Sequence, residues 1–281
     1  MPARVRLTTC VVAAHLVTSG PTVGAVTLEP HTVAAFDRYV AETERESARS
    51  LPDEAGFLWV DAAGRARDRA ALRAGNLVIT RLETKSSGRK IDVPDGIIHH
   101  WLGLVFVPSA TVDRAVALLQ DYDRHAAVYT PNVARSKLIA RDGDTFKVYL
   151  RFYTKNVLTV VVNSEHDARF TRPAPNRAYS RIVSTRIAEV DDPGGPNEAE
   201  KPVGRDGGYL WRLYSSWLFL ERDGGTYVQC ESITLTRSVP FALAFIIKPF
   251  ITGIPKDTLT FTLERTRDAL NAGATSGAAS P

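Results

Sequence analysis

Two cysteines, one methionine and no membrane-length apolar run are what this 281-residue sequence has least of. Two cysteines cannot build the disulfide framework of a small secreted scaffold, so stability has to come from a core. No stretch reaches the roughly 20 consecutive apolar residues of a transmembrane helix. Charge of one sign is missing too. The 35 Lys and Arg against 31 Asp and Glu leave +4, too small and too scattered to argue for nucleic acid as a partner. There is no G-x-S-x-G, H-E-x-x-H, C-x-x-C, Walker loop or G-x-G-x-x-G, and nothing calls for a cofactor or a metal ion. His99 and His100 are neighbours on an expected strand, point to opposite faces and cannot share one ion. His125 and His166 are remote from them in sequence.

What is present is an ordinary globular composition, 44% hydrophobic with 19 Gly and 16 Pro. It excludes a disordered or collagen-like chain. Nine Tyr, 11 Phe and 4 Trp point to a sheet-rich body with aromatic walls. Arg4 and Arg6, the apolar Cys10–Val17 and the small Val23-Gly24-Ala25 follow the order of a secretory signal peptide. Residues 1–25 are therefore read as a leader, and the protein as exported to a periplasmic or extracellular space. Cleavage after Ala25 would leave Cys230 as the lone cysteine, which reads as a small core residue.

Helical spacing of Val33, Phe36, Tyr39 and Val40 predicts a helix over His31–Arg49. Phe57–Val60 reads as a short strand, Arg65–Ala74 as a helix and Leu77–Leu82 as a strand. The basic loop 85–96 is a solvated connector. Ile97–Val107 is a long apolar strand stopped by Pro108, and Ser109-Ala110-Thr111 can cap a helix over Val112–Gln120. Strands are expected at Arg135–Arg141, Phe146–Tyr153, Val157–Asn163 and Ala178–Val190. A Gly- and Pro-rich loop then spans Asp191–Gly208. Tyr209–Glu221 and Tyr227–Arg237 are joined by Arg222-Asp223-Gly224-Gly225, a hairpin signal. Pro240–Ile251 reads as an apolar helical segment interrupted by Pro249, and Lys256–Ala269 as the last helix before a Gly/Ala/Ser tail.

This order resembles the helix-grip fold of the START-like superfamily, which includes lipid-transfer, polyketide aromatase/cyclase and ligand-sensing proteins. The residues carrying the resemblance are Ile97–Gln120, a strand into a helix, and Tyr209–Leu270. In the latter, Gly225-Thr226-Tyr227-Val228 leads through a strand to Val239-Pro240 and an amphipathic last helix. The resemblance implies an α+β fold, a curved antiparallel sheet wrapped around a long C-terminal helix, with an apolar cavity between them. It assigns residues 96–270 to the START-like domain, residues 26–95 to an N-terminal extension packing on the sheet, and 271–281 to a disordered tail.

A two-residue Asp223-Gly224 turn sets Arg222 opposite Gly225. Ser216 then faces Glu231, Tyr214 faces Ile233 and Leu218 faces Gln229. Alternation puts Arg212, Tyr214, Ser216, Gln229 and Glu231 on one face. Trp211, Leu213, Trp217, Phe219, Val228 and Cys230 take the other. Both faces are substantially apolar, so the outer one needs a cover, either the extension or a second subunit. The oligomeric state stays open. A ligand site needs apolar walls with a few placed polar groups, and the face with Arg212, Tyr214, Ser216, Gln229 and Glu231 is preferred as its lining. A salt bridge to Arg212 or an exposed edge is the plainer reading of Glu231. Tyr149 and Arg151, alternating with apolar neighbours, are added to the ligand-binding set.

The expected function is binding, and transport, of a lipid or other hydrophobic small molecule, without catalysis. The alternative is a polyketide cyclase- or dehydratase-like enzyme using a carboxylate–tyrosine pair, Glu231 with Tyr214. A third reading is an interaction module whose cavity is filled by its own aromatics. Phe241–Ile251 is a lid or transient membrane contact in one reading and a buried connector in the favoured one.

Overall fold

The computed structural model describes residues 25–155, 159–238 and 241–277, with side chains of the last segment described for 253–272. Residues 1–24 of the expected leader and 278–281 of the expected tail lie outside the described residues, and residues 271–277 of that tail continue the last helix instead of being disordered. The side chains of Phe241–Ile251, on which a lid or membrane contact would depend, also lie outside the described residues. No helix among the described residues is long and apolar enough to cross a membrane.

In chain order the elements are β1 (Val26–Thr27), α1 (Pro30–Ser47), α2 (Ala66–Arg73), β2 (Val78–Arg81), β3 (Lys85–Ser86), β4 (Arg89–Lys90) and β5 (Gly96–Pro108). Next come α3 (Val112–Gln120), α4 (His125–Val128), β6 (Val133–Asp142), β7 (Thr145–Lys155), β8 (Thr159–Ala174) and β9 (Arg177–Asp191). The chain ends with β10 (Ala199–Glu200), β11 (Arg205–Asp206), β12 (Arg212–Arg222), β13 (Gly225–Arg237) and α5 (Phe241–Gly277). One antiparallel sheet runs β2-β5-β13-β12-β9-β8-β7-β6, with β10 pairing to β9.

The hairpin has the register that its turn predicts. Asp223 and Gly224 both have positive φ, 59° and 76°, the conformation that favours Asp-Gly in a two-residue turn. Arg222 pairs with Gly225, Ser216 with Glu231, Tyr214 with Ile233 and Leu218 with Gln229. The helix α3 is capped as its sequence suggests, the Arg114 N–H donating to Thr111 Oγ1. Three expectations differ. Phe57–Val60 is not a strand: a 3-10 turn covers Trp59–Asp61, tied down by the Trp59 N–H donating to Gln229 Oε1 at 2.8 Å. The strand expected over Val157–Asn163 is, from Thr159, the start of a much longer one, β8, with Val157 and Leu158 outside the described residues. The two C-terminal helical segments are one helix, α5, which runs through Pro249 and Pro255.

Parity fixes the two faces. Val105, Val107, Trp217, Phe219, Val228 and Cys230 meet Leu259, Leu263 and Leu270 of α5 and Val112, Ala115 and Leu119 of α3 in one core. Gly103 sits where α5 comes closest: a Cβ there would run into Leu263, Ile79 and Leu259. The opposite face is equally buried, under residues of the extension. Phe57, Leu58, Val60 and Leu72 pack on Leu102, Leu104, Phe106, Leu218, Leu220 and Tyr227. Phe36, Tyr39 and Val40 of α1 pack on Tyr214, Ile233 and Leu235. The extension also supplies the edge strand β2, which pairs with β5. Trp211 departs from the hairpin alternation: it precedes β12 and is buried on the outer side, its ring N–H donating to Asp206.

Candidate functional site

The strand faces place the sequence-derived site residues on the side turned away from α5. Glu231 is buried beneath α1, where it meets His100 and not a cavity. His100 Nε2 lies 2.7 Å from Glu231 Oε1 and His100 Nδ1 lies 3.0 Å from the Tyr39 hydroxyl. Tyr39 accepts the Thr84 N–H, so its own proton goes to His100 Nδ1 and the Nε2–H of His100 goes to Glu231. Ser216 joins weakly, donating to Glu231 Oε2 at 3.4 Å. Gln229 holds the Trp59 backbone. Tyr214 packs against Phe36 and its neighbours in the same layer. Burial, and then the nearby Glu44 carboxylate, raise its phenol above the ordinary tyrosine range.

Arg212 stands apart from that network. It lines an external groove of about 460 Å³ between Leu28, Pro30, Val33, Val203 and Arg205. Tyr149 and Arg151 form a third group on β7. The Tyr149 hydroxyl donates to Asn163 Oδ1 at 2.8 Å, and Arg151 grips Glu198 with two bonds of 2.9 and 2.8 Å. The Arg151 guanidinium holds the Glu198 carboxyl down to about 2. The expected set is thus split three ways, with Ser216 joined to Glu231 and Tyr149 joined to Arg151 through Asn163. This face lies away from α5, and on it Gln229, and Glu231 through His100 and Tyr39, fasten the extension to the sheet.

The face toward α5 changes character along its length. At the Gly225 end it is closed by the core described above, and the Arg114 guanidinium anchors the Leu270 carbonyl there at 2.6 Å. Toward the Gly96 end, apolar side chains give way to hydroxyls and imidazoles. One row across the sheet reads Trp101, Ser232, Ser215, Ile182, Ala168 and Phe146. The next reads His99, Thr234, Leu213, Ser184, His166 and Val148. Beyond them, Thr236 pairs with Ile97 and Ser164 with Leu150.

Several of these groups are buried without a hydrogen-bond partner among the described residues. They are His166 Nδ1, Thr234 Oγ1 and Ser180 Oγ on the sheet, with the Tyr122 hydroxyl and His125 Nε2 on the helical side. A buried polar atom left unpaired costs about 1–3 kcal/mol, and native proteins keep few of them. A polar-tipped ligand on the inner face would relieve those of the sheet rows, His166 Nδ1 and Thr234 Oγ1. The imidazole tautomers follow from their neighbours. Ser164 donates to the Leu150 carbonyl and so accepts from His166 Nε2–H at 2.8 Å. Nδ1 is left as a bare acceptor. Burial pushes His166 down to about 4. His125 also falls to about 4, through burial against a smaller opposing effect of the Leu118 and Leu119 carbonyls. His99, beside Thr236 and within reach of the Arg81 charge, is lowered to about 4 as well, mainly by burial.

Sequence reasoning missed this lining, although the register it derived contained it. Ser215, Ser232, Thr234 and Thr236 alternate with large apolar residues on the very strands it paired. Small hydroxyls read as neutral filler, whereas Glu231 and Arg212 drew attention by charge. The cysteine expectation holds: Cys230 is a buried free thiol in the core, its pKa raised by burial. His99 and His100 do face opposite sides.

A nine-stranded antiparallel sheet closed over a C-terminal helix, with a strand-to-helix unit at β5–α3, settles the architecture. The chain has the START-like helix-grip fold. No family model and no curated protein matches it. Solved structures similar to it include a STAR-related lipid transfer protein from Xanthomonas axonopodis, 16% identical, covering 69% of this chain and 98% of that one at a TM-score of 0.44. The Zhui aromatase/cyclase from Streptomyces sp. R1128 is 13% identical, with 62% and 94% coverage and a TM-score of 0.42. Human STARD10 is 10% identical, with 73% and 79% coverage and a TM-score of 0.43. At such values the order and packing of this chain's own elements carry the assignment.

Proposed function

We propose that the protein binds, and transports, a lipid or other hydrophobic small molecule between the sheet and α5, with the ligand's polar end at the hydroxyl- and imidazole-lined part of the inner face. The observation behind this reading is the group of buried, unpartnered polar atoms on that face, His166 Nδ1 and Thr234 Oγ1 foremost. Affinity would come from apolar burial, at about 25 cal/mol per Å² before ordering costs, and orientation from the polar groups. The basic start and apolar segment before Ala25 support export, and the apolar Phe241–Ile251 supports a transient membrane contact during loading. For the enzymatic alternative, Glu231 and Tyr214 would have to act from beneath α1, on the face away from α5, which weighs against a carboxylate–tyrosine pair working on a bound polyketone.

Native mass spectrometry of protein purified from its own host is the direct test. A co-purifying apolar molecule, displaced by added lipid, is the expected result. Protein that emerges empty and takes up no lipid from vesicles would sink the proposal and favour a self-filled interaction module.

A further inference from the structure

The donor and acceptor inventory of the inner face is one-sided, and this limits the chemistry of the ligand. Across the two rows from Trp101 to Phe146 and from His99 to Val148, the residues are apolar, hydroxylic or imidazole. None is a carboxylate, a lysine or an arginine. The row through Trp101 continues on the edge strand to Arg81, which is exposed and whose charge reaches His99, but which lies five strands away from His166 in the sheet order. Beside His166, a carboxylate or phosphate head would be buried without a counter-ion among the described residues, which is strongly unfavourable. His166 offers the opposite: its Nε2–H is committed to Ser164, so Nδ1 can only accept. Thr234 Oγ1 can accept or donate. Resting on the binding reading above, we infer that the ligand is an uncharged apolar molecule carrying an alcohol or phenol hydroxyl, which donates its hydrogen bond to His166 Nδ1. Burial keeps that imidazole neutral, and therefore an acceptor, at ordinary pH. A ligand with only ester or ketone oxygens would leave Nδ1 unsatisfied, as an acceptor facing acceptors.

The test compares three probes of one shape on the full chain by calorimetry: 2-naphthol, naphthalene and 2-naphthoate. A hydrogen bond to a buried, otherwise unpaired acceptor should make 2-naphthol bind about tenfold tighter than naphthalene, with 2-naphthoate weaker than 2-naphthol. His166→Phe should bring 2-naphthol down to the naphthalene level and leave naphthalene itself nearly unchanged. Nitrogen-15 spectra of the wild-type imidazoles give a readout that needs no variant: 2-naphthol should move the His166 Nδ1 resonance and naphthalene should not. Equal binding of 2-naphthol and naphthalene, 2-naphthoate binding as tightly as 2-naphthol, or a still Nδ1 resonance would each overturn the hydroxyl assignment while leaving apolar binding standing. Failure of all three probes to bind the wild-type protein would overturn both.

Discussion

Acidification from pH 7 to pH 4.5 is expected to destabilise the protein steeply, beginning above the range in which its surface carboxylates are protonated. His99, His125 and His166 each sit at about 4 in the folded protein, against about 6.5 in an unfolded chain. The sign follows from which state binds the proton. Above 6.5 both states are neutral at these positions and the fold keeps its full stability. Between 6.5 and 4 the unfolded chain is protonated and the folded one is not, so stability falls as pH falls. Near pH 5 the three imidazoles together give a slope of about 4 kcal/mol per pH unit, against a total stability on the order of 5–15 kcal/mol. Glu198, held at about 2 in the folded protein against an ordinary carboxylate value when unfolded, adds to the loss from the lower edge of this window downward. Asp206, whose carboxyl is raised by burial, works in the opposite direction and softens the loss slightly. Thermal midpoints measured from pH 7.5 to 4 would show the decline, with His166→Phe flattening it by about a third. A midpoint that stays level down to pH 4.5 would mean the three rings are solvated and the inner face is open to water.

The second large effect is expected at Glu231, and it separates a structural strut from a functional group. Glu231→Ala should cost about 1–3 kcal/mol in urea denaturation, because it leaves the His100 Nε2–H buried without an acceptor. His100→Leu should cost a comparable amount by stranding the carboxylate. The double variant H100L/E231L is expected to be far less damaged than the two losses combined, since a buried pair is often replaceable by apolar side chains. Glu231→Gln keeps an acceptor for the His100 N–H and should leave uptake of an apolar ligand unchanged. If Glu231→Gln instead abolished ligand uptake or turnover with the melting point intact, Glu231 would belong to the functional site and the strut assignment would fail.

Much of the frame could be read from residues alone. The Asp223-Gly224 turn carried the whole β12–β13 register because its geometry leaves one way to pair the flanking residues. Apolar residues on both faces correctly called for a cover, and Phe36, Tyr39, Phe57 and Leu72 of the extension lie there. Which face meets α5 was not legible, for a physical reason. Glu231, His100 and Tyr39 are far apart in sequence, and nothing local distinguishes a carboxylate that binds a ligand from one that binds a neighbouring imidazole. β8 is a different case. From Ser164 to Thr171 it alternates Ser164, His166, Ala168 and Phe170 inward with Glu165, Asp167, Arg169 and Thr171 outward, a period of two that local reading could have followed. Phe57–Val60 has strand-like residues but no strand partner, and tertiary burial turned it into a 3-10 turn.

The two-sided cover of β5 also sets where this sequence is free to vary. From Gly96 to Val107 every residue is at least half-buried, and only Pro108 reaches the surface fully. Each inward position faces α5, and each outward one faces the extension. A substitution along this strand therefore has no neutral place to land. At the other end of the sheet, β6 is exposed at every position from Lys137 to Asp142 except Leu138, and its charged side chains guard an open edge. Saturation mutagenesis should find β5 almost intolerant and β6 almost permissive. The sheet would then be a graded record of constraint, with sequence drift confined to one margin and the identity of the molecule held in the other.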